Sequence, residues 1–146
     1  MRPLFLLPLP LLVNALLNVT VDDTDPSIVY RGSWEPSSTH LSGLDYGGSH
    51  TVSSDAAANA TFAFTGVAVY YLAPRWPYAV NTQLSLDGGP AIIVNLTDPD
   101  ASTTAAGGSE SAQSRVAWSA TALPNTTHTL FLTMARGGEF IVADGF

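Results

Sequence analysis

Residues 60–72 read ATFAFTGVAVYYL, and this stretch decides the fold. Phe62 and Phe64 fall on one side of a period-two pattern, the alternation of a half-buried β-strand. Gly66 breaks the register, and Val67, Val69 and Tyr71 then resume it. A glycine inside such a pattern marks a bulge or the junction of two strands.

The same alternation continues outward on both sides. Thr82-Gln83-Leu84-Ser85-Leu86 alternates, Asp87-Gly88-Gly89 turns, and Ala91 to Asn95 returns. Asp-Gly between alternating runs is a hairpin signal, because the tight turn needs positive φ. Asn18–Val21, Ser27–Tyr30, His50–Ser53, Val116–Ala120, Thr127–Ala135 and Glu139–Ala143 read as further short strands, with Leu123-Pro124-Asn125-Thr126 as a turn. Gly32–Ser49 reads as loop with Trp34 as a buried anchor. Residues 97–114, small, polar and glycine-containing, read as a flexible loop within one domain. About eight to ten strands without a helix predict an all-β fold, an antiparallel β-sandwich or jelly roll. A two-sheet sandwich is favoured over a closed barrel.

Met1-Arg2, the apolar run Pro3–Leu12 and Val13-Asn14-Ala15 have the layout of a secretory signal peptide over residues 1–15, too short and proline-broken to span a bilayer. Residues 16–146 then form a single domain. Four N-x-S/T sequons, at Asn18, Asn59, Asn95 and Asn125, follow the leader. Together they predict a secreted glycoprotein, its glycans covering strand edges that would otherwise pair with other chains.

Charge and cysteine usage narrow the partners. All five basic residues are arginines, against twelve acidic ones, for a net charge of −7. Such a surface repels nucleic acid and anionic lipid, so neither is expected as a partner. Cysteine is absent, which excludes a disulfide scaffold and leaves stability to core burial and backbone pairing. No second apolar stretch reaches membrane-spanning length, so the mature chain is expected to be soluble.

One family resemblance rests on particular residues. The run Val19-Thr20-Val21-Asp22-Asp23-Thr24-Asp25-Pro26-Ser27-Ile28-Val29-Tyr30 with Trp34 opens it. Phe62-x-Phe64-x-Gly66-x-Ala68-x-Tyr70, the Ser85-Leu86-Asp87-Gly88-Gly89 turn and Leu123-Pro124-Asn125-Thr126-Thr127-His128-Thr129-Leu130 continue it. The chain resembles the extracellular β-sandwich domain common in uncharacterised fungal, especially basidiomycete, secreted and cell-surface proteins. That domain looks like a galactose-binding-like jelly roll, distantly similar to the carbohydrate-binding modules of glycosidases. The resemblance implies a non-catalytic module binding glycan or cell-wall polysaccharide, and it carries no catalytic residues.

The residues themselves offer few chemical candidates. Arg75, Trp76 and Tyr78, between Pro74 and Pro77, have the types that stack on sugar rings and donate to hydroxyls, on a proline-stiffened segment. The plain alternative is that these aromatics pack a sheet edge. An exposed, coplanar Trp76/Tyr78 platform would favour binding, whereas burial would favour a structural surface protein. Asp22, Asp23 and Asp144 are calcium candidates, although no loop has EF-hand spacing. Turn capping is the alternative, and no cofactor is expected. His40, His50 and His128 form no zinc pattern. There is no G-x-S-x-G elbow and no cysteine nucleophile, so no enzyme is indicated. A small glycan-active enzyme would need two carboxylates facing each other across a cleft.

Overall fold

A computed structural model describes residues 16–146, so the expected leader lies outside the described residues. Nine strands follow one another: β1 (Ile28–Arg31), β2 (Thr51–Ser53), β3 (Asn59–Gly66), β4 (Val69–Arg75), β5 (Asn81–Leu86), β6 (Ile92–Asn95), β7 (Ala112–Ala120), β8 (Thr126–Met134) and β9 (Ile141–Ala143). The fold is an antiparallel β-sandwich. One layer is a five-stranded sheet in the order β1-β3-β8-β5-β6. The facing layer contains the β2-β9 and β4-β7 ladders, and the C-terminal segment links them. β9 pairs with β2, and Gly145 then exchanges backbone hydrogen bonds with Leu72 of β4 at 2.8 and 3.3 Å.

Gly66 is a junction. β3 ends there, and β4 starts three residues later in the other layer. The inward residues of the five-stranded sheet line up by register. Ala60 faces Leu132 and Leu132 faces Leu84; Ile28 faces Phe62, Phe62 faces Leu130, and Leu130 faces Leu86. Against these rows the opposite layer sets Val69, Tyr71, Ala73, Ile141 and Val142, all buried. Phe146 joins the layers, its ring 4.6 Å from Phe62 and 5.9 Å from Tyr71. Each fully buried aliphatic or aromatic side chain contributes about 1.5–3 kcal/mol, which lets the sandwich stand without disulfides. The Tyr71 hydroxyl, buried among them, donates to the Val142 carbonyl at 2.9 Å, so burial leaves no orphaned polar atom there.

The β5–β6 hairpin forms in the expected place, with Leu84 opposite Ile92. Asp87 and Gly88 take φ of 52° and 69°, the left-handed pair that a two-residue turn requires.

Several expectations need correction. Residues 18–21 form no strand. Val21 instead exchanges backbone hydrogen bonds with Phe146, and only Asp22 makes an isolated bridge, to Gly145. Ala112–Ser114, placed in the 97–114 loop by composition, begin β7. The 123–126 stretch passes from one layer to the other, joining β7 to β8. Trp34 is half-buried rather than buried, edge-on to Tyr30 at 4.9 Å, and its Nε1–H donates to Arg31. Of the sequons, Asn18, Asn95 and Asn125 are exposed, and Asn59 is half-buried at the start of β3. Among the described residues no helix is long and apolar enough to cross a membrane.

Candidate functional site

Beyond the end of β4 the chain keeps pairing instead of entering a free loop. The Trp76 N–H donates to Leu96, the Asp98 N–H donates to Trp76, and the Ser111 N–H donates to Arg75 at 2.7 Å. Residues 75–78 are therefore held on both flanks by the two ends of the 97–111 segment. This pairing decides where the candidate aromatics point.

Trp76 is 3% and Tyr78 7% exposed. The Trp76 ring meets His50 edge-on at 5.5 Å, and the Tyr78 hydroxyl donates to the Gly108 carbonyl at 2.6 Å. Burial holds the Tyr78 hydroxyl pKa above its ordinary value. The exposed, coplanar platform does not exist, and burial of both rings is the outcome that favours a structural surface protein over a sugar-binding loop at 75–78. Proline stiffening and aromatic content suggested a protruding loop; backbone pairing on both sides pulls it into the sheet. Arg75 turns away, its Nη1–H donating to the Thr97 carbonyl at 3.3 Å, and it does not line the cleft described next.

Trp76 and Tyr78 instead floor a concave cleft of about 430 Å³, whose walls include Glu35, His40, His50 and Glu110. The walls come from segments with no strand periodicity: the 35–50 loop, with short 3-10 turns at Ser37–Thr39 and Tyr46–Gly48, and the 97–111 segment. His40 Nε2 lies 2.8 Å from Glu35 Oε2 on the outer wall. Deeper in, His50 Nδ1 lies 2.9 Å from Asp45 Oδ2 and 3.2 Å from Glu110 Oε1, all three side chains nearly inaccessible. Burial pushes the Asp45 carboxyl up, against the pull of its hydrogen bond to His50. Burial acts to lower the His50 pKa, but the hydrogen bond and charge of Asp45, helped by Glu110 and Asp144, leave it raised.

The three calcium candidates meet through the backbone. The Asp23 N–H donates to the Asp144 carbonyl at 3.0 Å, and Asp22 bridges Gly145. Their carboxylates do not converge on one point. Asp23 Oδ2 accepts from the Thr51 hydroxyl at 2.5 Å, while Asp144 accepts from the Tyr46 N–H and the Ser114 hydroxyl. Burial pushes Asp144 up to about 7 despite those donors, and raises Asp23 as well. Asp22 Oδ1 packs on Gly47, where a Cβ would come within 2.3 Å and φ is +67°, so that turn admits only glycine. Among the described residues, the group of His, Asp and Glu ligand atoms lying within 4.8 Å of one another is Asp45, His50 and Glu110.

The convergent trio was therefore missed in the sequence. The histidines indeed show no zinc spacing among themselves, since His50 joins two carboxylates rather than a second histidine. Asp45 and His50 stand five apart around a tight turn, and Glu110 comes from 60 residues away. No periodic or motif signal connects them. His128 is unrelated to the cleft; its Nδ1 lies 2.7 Å from Asp87 at the hairpin turn.

No protein-family model matches the chain, and a search of curated proteins finds no relative. Solved structures do match. An exo-β-1,3-galactanase from Phanerochaete chrysosporium, determined with galactose, superposes with a TM-score of 0.57 at 12% identity over 87% of this chain. A GH26-CBM35 β-(1,4)-mannanase from Podospora anserina gives a TM-score of 0.52 at 16% identity over 87%. The chain spans 28% and 26% of those proteins' lengths. At these identities the likeness establishes the fold, a sandwich of the kind found in carbohydrate-active fungal proteins.

Proposed function

We propose that the protein is a secreted, N-glycosylated, non-catalytic module that binds carbohydrate in the cleft floored by Trp76 and Tyr78. The cleft itself carries the proposal. Its size lies in the usual range for small-ligand sites, which combine an apolar floor with a few convergent polar groups. Here the floor is aromatic, and the outer wall offers Glu35 and His40 as hydrogen-bonding partners for hydroxyls. The structural likeness to parts of a galactanase and a mannanase supports the same class of ligand. The contact residues differ from those expected in the sequence: Glu35 and His40 at the rim replace Arg75, and the aromatics act as floor rather than platform.

The test is affinity electrophoresis and glycan-array retention of the intact protein, beginning with β-1,3-galactan and β-1,4-mannan. Glu35→Gln combined with His40→Ala should weaken retention at least about tenfold, roughly 1.4 kcal/mol, with the melting temperature unchanged. Retention on no polysaccharide, or retention indifferent to those changes, would favour a structural surface glycoprotein. Two glutamates lining one cleft also admit a second reading, a glycan-active enzyme. Release of reducing sugar by the wild type, abolished in Glu35→Gln and in Glu110→Gln, would establish it in place of the binding module.

A further inference from the structure

We propose that Asp45, His50 and Glu110 form a binding site for a divalent transition-metal ion, with Zn²⁺ the best match, in the wall of the cleft. The proposal does not depend on whether the cleft takes a glycan.

Geometry is the first argument. His50 Nδ1 lies 2.9 Å from Asp45 Oδ2 and 3.2 Å from Glu110 Oε1. Donors bound tetrahedrally to one zinc ion at bonds of about 2.0–2.2 Å sit about 3.3–3.6 Å apart, so with all three ligand atoms within 4.8 Å of one another the trio needs shifts of only a few tenths of an ångström up to about 1 Å to take an ion. Ligand chemistry is the second. One imidazole nitrogen with two carboxylate oxygens draws on ligand types that zinc accepts, whereas calcium asks for six to eight oxygens and takes no nitrogen from this set.

Charge is the third argument. Asp45 is more than nine-tenths buried; one of its oxygens turns to His50, while its buried Oδ1 has no hydrogen-bond partner. Glu110 adds a second nearly inaccessible carboxylate, and the buried Asp23 and Asp144 carboxylates act on Asp45 or His50 from behind. Among the described residues no arginine makes an ion pair; the acidic partners all meet histidines. A single imidazole cannot neutralise both carboxylates that touch it, and buried carboxylates without a counter-charge are costly. A divalent cation on the Nδ1 lone pair would neutralise both. His50 and Glu110 line the cleft and Asp45 does not, so an ion there has protein behind it and an open side toward the cleft. It would also tie the 45–50 turn to the 97–111 segment. The Tyr46 N–H bonded to Asp144 fixes the backbone next to Asp45, the outer support that metal ligands ordinarily have.

The experiment titrates the chelator-treated full chain with ZnCl₂ by calorimetry and follows the melting temperature. One Zn²⁺ per chain, a higher melting temperature and weaker binding as pH falls are expected. Co²⁺ in place of Zn²⁺ should give visible ligand-field absorption. Glu110→Gln and Asp45→Asn should each lower zinc affinity at least tenfold. Should Asp45→Asn fail to fold, Glu110→Gln decides, because its residue sits on a surface segment outside the strands. No stoichiometric uptake, uptake unchanged in Glu110→Gln, or Ca²⁺ bound more tightly than Zn²⁺ would overturn the proposal. In that case His50 serves as a protonated partner shared by two carboxylates.

Discussion

Two regions of the sandwich are held by opposite kinds of chemistry. Across β3, β8 and β5 the interior is apolar and organised in rows, Ala60–Leu132–Leu84 and Phe62–Leu130–Leu86. In the other region, where the 35–50 loop and the C-terminal segment pack, the interior holds Asp23, Asp45, His50 and Asp144, all at 7% exposure or less. The first region gains stability from removing carbon from water; the second buries charge, which folding tolerates only when each charge is hydrogen-bonded, paired or neutralised. A protein keeps such an arrangement despite its cost, and perturbed carboxylates beside a cleft mark sites of function more often than sites of stability.

The largest expected effect belongs to the apolar region. Leu132 is fully buried between Ala60 and Leu84, so Leu132→Ala should cost about 2–5 kcal/mol in urea unfolding, as cavity-forming truncations do. The loss should not change between pH 4 and pH 8, because neither register neighbour of Leu132, Ala60 nor Leu84, titrates. A pH-dependent loss would break the division between the two regions.

The polar region should show the reverse behaviour. The folded pKa of Asp144, about 7, stands above its ordinary value of 3.8. A group raised in this way contributes stability that is complete below pH 3.8 and lost as pH rises through about 7. Wild-type protein should therefore lose on the order of 4 kcal/mol from this group across that window, following about 1.4 kcal/mol per pKa unit. Asp144→Asn cannot ionise, so in chelator-treated protein its stability should gain on the wild type as pH rises from 4 to 8. Urea midpoints measured in parallel would show it. Equal slopes for the two proteins would mean that Asp144 is solvated or already neutralised.

The same contrast explains what the sequence disclosed. Side-chain alternation encodes which face of a strand is buried, so Phe62, Leu84, Leu130 and Leu132 were legible, and Asp87-Gly88 announced its own turn by demanding positive φ. Nothing local encodes that Glu110 returns to within 3.2 Å of His50, because that proximity is made by backbone pairs between 75–78 and 96–111. Those pairs also explain how the aromatics are turned. Trp76 and Tyr78 have the residue types of a sugar platform, but their orientation depends on neighbours that arrive some 20 to 30 residues later. The aspartates at 22, 23 and 144 meet only through the backbone, and cation ligation depends on where carboxylate oxygens point, which no spacing states.

The smallest effect tests a polar contact lying on the apolar side of this division. His128 Nδ1 lies 2.7 Å from Asp87 Oδ2, and the Thr129 N–H donates to Asp87 Oδ1 at 2.8 Å. The bond to His128 and then that of Thr129 depress the Asp87 pKa. The Pro124 carbonyl and Asp87 raise the His128 pKa. Stability from the raised histidine is complete below its ordinary 6.5 and disappears as pH climbs through the higher folded value. Stability from the depressed aspartate is present above its ordinary 3.8 and disappears as pH falls through the lower folded value. Both contributions coexist only between about pH 4 and 6.5. Asp87→Asn retains the left-handed turn, since asparagine accepts positive φ. It should lower the melting temperature most near pH 5.5, and less at pH 3 and pH 8. An equal deficit at pH 3, 5.5 and 8 would assign the effect to the turn itself, and would leave charge at this hairpin without a role.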